Sequence, residues 1–303
     1  MKPTHAIPNP QRILLYKDVQ DLEHGLPVTA DYFLDPANGM IVQVPIPSSE
    51  TLEAVYPSDY RVHRTSGIVH VLKRVQAHLL FGALKDDLPG PEQSILELGS
   101  GGGHFLVELK RRGFRHLTAL DWSPNVREEF ERHGIPFILS TIEAESERPG
   151  TYDCIIMINT IEHVRNPETV LRALKKKLNP DGRILLITPN ARSLSHRIFG
   201  RHWAGLHAPR HVYVFSPDAM TQLAAMLGFK VRHRSLSDPS AWAFSVQNLV
   251  RSKVKRPKSF RGTAWYALLL LPVSLIPSAV EHALNRSSSM IVSLRREASE
   301  KLS

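Results

Sequence analysis

A single cysteine, Cys154, is all the thiol chemistry that 303 residues offer. An intramolecular disulfide and a thiolate metal cluster are therefore excluded, and Cys154, set among Ile155, Ile156 and Met157, reads as a buried strand residue. The N-terminus has neither the basic start nor the apolar run of a secretory signal, so the expected location is the cytoplasm. Internal repeats and low-complexity tracts are also missing. Acid is the scarcer charge: 29 Asp and Glu stand against 38 Lys and Arg, a net of +9. That excess suits an anionic partner such as lipid headgroups, a phosphorylated substrate or nucleic acid, without choosing among them. With 42% hydrophobic and 22% charged residues, the chain can bury a sizeable core, as one domain with an accessory segment or as two small domains.

What the sequence does contain is concentrated in Glu97-Leu98-Gly99-Ser100-Gly101-Gly102-Gly103. The run falls where an apolar strand, Ser94 to Leu98, turns into an amphipathic helix, His104 to Arg112. Gly99, Gly101 and Gly103 allow positive φ and close approach of the backbone to a ligand, and the N–H groups of the helix start are free to bind. This is a nucleotide-type ligand loop. A dinucleotide fingerprint would need a small residue where His104 stands. Glu97, at the strand's carboxyl end, would repel a pyrophosphate but suits a cationic ligand. Asp121 closes a second strand, Leu117 to Leu120, where doubly wound folds place a carboxylate on ribose hydroxyls.

Strands and helices then alternate. A helix opens at Ser123-Pro124, with a capping hydroxyl and a proline at its first position. Strands follow at Phe137 to Leu139, Cys154 to Ile158, Arg183 to Thr188, Lys230 to Arg234 and Met290 to Leu294, with helices at Pro167 to Leu178 and from Pro217 to Gly228. Such alternation implies an α/β fold with a mainly parallel sheet covered on both faces. Before it, residues 1–65 are proline-rich and read as an irregular accessory segment. The second unit, 66–303, opens with a helix from Gly67 to Leu84 whose Val71, Val75, His78 and Leu79 share one face. Its core spans 94–235, an apolar insertion about 251–285, and the last strand about 290–295.

The acidic G-x-G-x-G loop followed by Asp121 resembles motif I of the class I S-adenosylmethionine-dependent methyltransferases. The run Tyr152-Asp153, Ile161-Glu162-His163-Val164-Arg165-Asn166-Pro167, Leu178-Asn179-Pro180-Asp181-Gly182 and Thr188-Pro189-Asn190 is similar to a subgroup of bacterial cell-surface glycan and natural-product pathways. The resemblance implies a Rossmann-like doubly wound sheet of seven strands, ordered 3-2-1-4-5-7-6 with the seventh antiparallel. It implies S-adenosylmethionine as cofactor, held by Glu97, Gly99, Ser100, Gly101, Gly103, Asp121, Trp122, Thr141 and Asn159, with Asp121 on the ribose. Tyr56-Pro57-Ser58-Asp59-Tyr60 matches a Y-P-x-D-Y stretch that in this subgroup follows a zinc ribbon. Here Asp35-Pro36-Ala37-Asn38-Gly39 replaces the ribbon's C-x-x-C-G, so zinc is not expected.

Ligands of open α/β sheets bind beyond the strands' carboxyl ends, which points to Asn159 through Val164. A hydroxyl or amine acceptor has to lose a proton, and His163 and His211 are the candidate bases. A histidine after a strand also serves to pack or cap the next helix, and both readings of His163 stand. The segment from Phe199 to His211 is aromatic, basic and histidine-rich. It reads either as an acceptor-binding lid, with Arg201, Trp203 and Arg210 as substrate ligands, or as a solvated surface loop. Tyr60 and His63 are further candidates to close over the substrate. The histidines lack an H-E-x-x-H arrangement, and no metal is expected.

The expected reaction is O-methylation of a small or lipid-linked, saccharide-like acceptor. Two alternatives stand beside it. A nucleic-acid methyltransferase suits the charge, but nucleic acid is not the expected partner, because Asn159 to Glu162 offers no aromatic clamp for an extruded base. The other is a non-catalytic, membrane-associated scaffold that retains the fold. Its support is the uncharged run Ala264 to Val280, preceded by Arg251, Lys253, Lys255, Arg256, Lys258 and Arg261. Pro272 and Pro277 are expected to break a spanning helix, which leaves a peripheral anchor on an anionic inner-membrane face or a buried lid.

Overall fold

The computed structural model describes residues 11–56, 67–146, 148–254 and 263–296. The strands are β1 (Ile13–Gln20), β2 (Thr29–Leu34), β3 (Ile41–Gln43), β4 (Ser94–Leu98), β5 (His116–Asp121), β6 (Phe137–Leu139), β7 (Tyr152–Ile158), β8 (Leu178–Pro189), β9 (Tyr213–Val214), β10 (Phe229–Leu236) and β11 (Ser289–Arg296). The helices are α1 (Ser49–Ala54), α2 (Gly67–Leu84), α3 (His104–Arg111), α4 (Arg127–Arg132), α5 (Ile142–Ser146), α6 (Pro167–Lys176), α7 (Leu194–Phe199), α8 (Pro217–Met226), α9 (Pro239–Arg251) and α10 (Trp265–Ala283).

The large sheet has seven strands in the order β10-β11-β8-β7-β4-β5-β6. Strands β8, β7, β4, β5 and β6 run parallel, while β11 lies antiparallel between β10 and β8. Read from β6 to β10, this is the order 3-2-1-4-5-7-6 with an antiparallel seventh strand that the resemblance implied. The central strands read as unbroken apolar runs because both faces are covered: Cys154 to Met157 and Ile184 to Leu186 are fully buried. One face packs against Leu171, Leu174, Met220 and Leu223, the other against Leu106, Leu109 and Phe130. Local chemistry starts the covering helices. Asn166 accepts from the N–H of Thr169 ahead of Pro167, and Ser216 from that of Ala219 ahead of Pro217.

The accessory segment is not irregular. Strands β1, β2 and β3 form a small antiparallel sheet completed by β9, which pairs Ile41 with Val214 and Val42 with Tyr213. The reason is tertiary: Tyr32, Trp203, Leu206 and Val214 bury a common apolar cluster that neither segment encloses alone. Two further expectations change. In α2 the stripe Val71, Val75 and Leu79 is exposed, and Ala77 and Leu84 are the buried positions. Helix α10 runs through Pro272 and Pro277 without ending. It packs on α9 and is not a buried lid, since Leu269, Val273 and Ile276 are all more than half exposed. Its buried stripe is small or polar, namely Ala267, Ser274, Ser278 and Glu281.

Candidate active site

The turn out of β4 is shaped by contacts that leave no room for side chains. Gly99 has φ +68°, and a β-carbon there would lie 2.7 Å from Cγ2 of Thr160. Gly103 has φ +72°, and a β-carbon there would lie 2.7 Å from the ring of Phe130. Ser100 donates from both N–H and hydroxyl to the carbonyl of Leu120. The Asp121 carboxylate accepts from the N–H of Gly101 at 2.8 Å and from that of Ser123 at 2.9 Å, which ties the loop to the end of β5. Glu97 is buried, and its Oε2 has no hydrogen-bond partner among the described residues. Burial, and then the charge of Asp121, pushes its carboxyl up to about 8. A buried acid of this kind is an uncompensated acceptor for a cationic ligand.

The other residues expected at the cofactor lie around this cradle. Asn159 sits at φ +47° directly after β7, its N–H bonded to the carbonyl of Ile187. Trp122 is half exposed, with its ring 5.9 Å from that of Tyr56. Thr141 is exposed and caps α5 by accepting from the N–H of Ala144 at 3.2 Å. The cradle fits S-adenosylmethionine: it has a buried carboxylate for the ammonium, a collar of glycine backbone, and a carboxylate at the end of the adjacent strand.

Next to the cradle lies a dense polar cluster. Thr160 donates to the carbonyls of Ile158 and Leu98, and Ile161–His163 forms a 3-10 turn. Glu162 is fully buried, accepts from Thr188 at 3.0 Å, and is pushed up to about 8 by burial. His163 Nδ1 lies 2.9 Å from the Tyr56 hydroxyl and 3.1 Å from the carbonyl of Arg210. Burial, reinforced by the charge of His207, lowers its pKa to about 3. His211 is buried, and burial followed by its histidine neighbours holds it well below the ordinary range. The two rings meet edge to face with centroids 4.6 Å apart. The candidate bases are thus brought together, and His207 joins them.

The expected substrate ligands fare differently. Arg210 is fully buried and bidentate on Asp21, and it also donates to the carbonyl of Val55. Its charge is committed to the fold and does not reach for a phosphate or carboxylate. Trp203 is also buried, inside the cluster beneath the small sheet, because its ring supplies that cluster's bulk. Arg201 is exposed and donates to the carbonyl of Lys17. Tyr60 and His63 lie outside the described residues. The segment from Phe199 to His211 is a pinned wall and not a solvated loop: Tyr32 donates to the carbonyls of Leu206 and His211. Asp21, Glu23 and His207 escaped sequence reasoning. Glu23 is bonded to His207 from 184 positions away, and no local pattern signals such a pairing.

The sequence matches the methyltransferase-domain family over residues 69–234, more than half of the chain. The chain belongs to that family, and with this sheet order and glycine loop it is a class I, S-adenosylmethionine-dependent methyltransferase. Among curated relatives, the ubiquinone biosynthesis O-methyltransferase of Aeromonas salmonicida is 27% identical over 154 residues, 46% of this chain and 64% of that one. The mitochondrial ubiquinone biosynthesis O-methyltransferase of Schizosaccharomyces pombe is 26% identical over 132 residues, 41% of this chain and 47% of that one. The chain thus spans about half to two thirds of the length of these relatives. Among solved structures, the [4+2]-cyclase SpnF shares the fold with a TM-score of 0.50 at 13% identity, covering 78% of this chain and 84% of that one.

Proposed function

We infer that this protein methylates a hydroxyl oxygen on a small, lipid-like acceptor held between the glycine loop and the His163–His207–His211 cluster. One observation carries the reading. Thr160 lies against Gly99 in the cofactor cradle, and His163, three residues on, belongs to the cluster, so one short turn forms a wall of both. Glu97 holds the cofactor's ammonium. Asp121, at the carboxyl end of the strand beside the loop, holds the ribose. Trp122 covers the adenine, and Ser100, Asn159 and Thr141 line the rim. When bound, S-adenosylmethionine supplies a methyl carbon activated by its sulfonium.

The chain's own residues then have to position the acceptor and accept its proton. An imidazole with a pKa of about 3 is a poor base toward a neutral hydroxyl. It still suffices after transfer, because a methylated oxonium is far more acidic than any imidazolium. His163 and His211 therefore orient the hydroxyl first and receive the proton afterwards. Oxygen as the acceptor atom is supported by the O-methyltransferase names of the relatives. The same names favour a lipid-like acceptor over the saccharide-like one, and nothing in the cluster selects a sugar.

A lipid-like acceptor also gives α10 a purpose. The helix turns its small residues inward and its large aliphatics outward, the reverse of a helix that packs on a core. The chain carries a net charge of +9, so the occupant proposed for this face is an anionic bilayer surface. Arg251 takes no part, being buried and donating to the carbonyls of Leu22 and Glu23. The test is incubation of purified protein with methyl-labelled S-adenosylmethionine and a lipid extract. Label in an alkali-stable ether supports the reading; label only in esters, amines or nucleic acid overturns it.

A further inference from the structure

Three imidazoles converge from two distant parts of the chain: His163 from the turn after β7, and His207 and His211 from the wall before β9. One ring nitrogen from each lies within 4.8 Å of those of the other two. The second nitrogen of every ring is committed to an oxygen. His163 Nδ1 faces the Tyr56 hydroxyl at 2.9 Å and the carbonyl of Arg210 at 3.1 Å, His211 Nδ1 the carbonyl of Gly205 at 2.9 Å, and His207 Nε2 the carboxylate of Glu23. The carbonyls and the carboxylate only accept, which puts protons on His211 Nδ1 and His207 Nε2 and lone pairs on His211 Nε2 and His207 Nδ1; with the Tyr56 hydroxyl also accepting, the lone pair of His163 is on Nε2. His207 Nδ1 and His211 Nε2 face each other at 3.4 Å. That is the edge of a tetrahedron around an ion with metal–nitrogen bonds of about 2.0–2.1 Å. Independently, Oε1 of the fully buried Glu162 accepts no hydrogen bond among the described residues and lies 3.9 Å from His211 Nε2.

We propose that His163, His207 and His211, together with the Glu162 carboxylate, bind a divalent transition-metal ion of the zinc type. A proton on His207 Nδ1 would relieve the single contact with His211, but it would leave Glu162 Oε1 unserved. One cation serves all four. Anchoring each ring through its far nitrogen on a carbonyl or carboxylate is the arrangement that orients imidazoles toward a metal. The nearby fixed charges favour a cation too: Asp21 and Glu23 are anionic, and Arg210 offsets only one of them. Three nitrogens and one oxygen suit zinc or cobalt, whereas calcium and magnesium need shells of oxygen. Ion binding stands apart from the proposed O-methylation. Only its use rests on that reading, in which the acceptor oxygen would enter as a fifth ligand to the ion in place of its contact with the imidazoles.

The test uses the full chain, stripped with chelator, without acceptor or cofactor. Titration with Co2+ is expected to give the intense visible bands of a tetrahedral site, saturating at one equivalent and bleached by one equivalent of Zn2+. His207→Ala and His211→Ala should each weaken the metal at least a hundredfold, and Glu162→Gln about tenfold or more. His116→Ala and His233→Ala, which remove histidines elsewhere, should change nothing. Binding of S-adenosylhomocysteine by each variant reports that the fold survives. Absence of cobalt bands in the wild type overturns the proposal, as does equal metal affinity in wild type and in folded His207→Ala. If metal binds as described while no acceptor is methylated, the metal site stands and the functional reading falls.

Discussion

Asp21 and Arg210 stand 189 positions apart and form a fully buried ion pair, with Nη2 at 2.9 Å and Nη1 at 3.3 Å from the carboxylate. The pair fastens the N-terminal strands to the wall of the site, and the carbonyl of the same arginine fixes His163. Burial opposes charge on Asp21, but Arg210 and the N–H groups of His24 and Glu23 hold its carboxyl below the ordinary range. Breaking one partner strands the other charge in a dry interior. Asp21→Asn and Arg210→Ala are each expected to cost about 3–5 kcal/mol, read by urea denaturation. The double variant Asp21→Leu, Arg210→Met should recover part of that loss. A cost below about 1 kcal/mol for both single variants would show the pair to be solvated.

The glycine loop makes a sharper prediction, because conformation and space act together. Gly103→Ala forces a β-carbon into left-handed backbone, a penalty of about 1–2 kcal/mol, and against Phe130. Gly99→Ala does the same against Thr160. Both variants should lose S-adenosylhomocysteine affinity at least tenfold by calorimetry. Gly113 also has positive φ, at +93°, but nothing lies within 4 Å of a β-carbon there. Gly113→Ala is therefore the matched control: it should lower stability and leave affinity unchanged. Equal loss in all three would mean that strain alone, and not the cradle, sets binding.

Helix α10 predicts its own partner. Removing large aliphatics from a packed helix destabilises a protein, whereas Leu269→Gln, Val273→Gln and Ile276→Gln change side chains that already face solvent. Thermal stability should therefore hold within a few degrees. Flotation with anionic vesicles should fall, since each aliphatic side chain that enters the interface contributes up to about 1.5–3 kcal/mol. Wild-type protein that stays with the soluble fraction on both anionic and neutral vesicles would remove the bilayer as occupant.

The sheet and the cofactor cradle were legible because their signals are local. Unbroken apolar runs mark β4, β7 and β8, capping residues mark α6 and α8, and the glycines mark the turn between β4 and α3. Periodicity misled at α2, where Val71, Val75 and Leu79 repeat like a core face yet point outward, and loop composition misled at Arg210, whose charge is consumed inside the molecule. What stayed hidden depends on distant pairing. Strand β3 needs β9, Glu23 needs His207, and the site histidines come together only when the wall before β9 folds against the turn after β7.

The pH dependence of cofactor binding isolates Glu97. Its carboxyl is raised from 4.5 to about 8 by burial and by Asp121, so at pH 7 the free protein holds a proton there that the unfolded chain has released. Between these two values the folded state binds more protons than the unfolded one. Stability from this group is accordingly complete below about pH 4.5 and declines toward pH 8, with a limiting slope of about 1.4 kcal/mol per pH unit. An ammonium seated on Glu97 favours the carboxylate and expels the proton. Calorimetry with S-adenosylhomocysteine at pH 7, in buffers of different ionisation enthalpy, should therefore show close to one proton released, fading above pH 9. Glu97→Gln should abolish the release and flatten its share of the stability profile. A buffer-independent binding enthalpy at pH 7 in the wild type would mean that Glu97 does not meet the cofactor's ammonium.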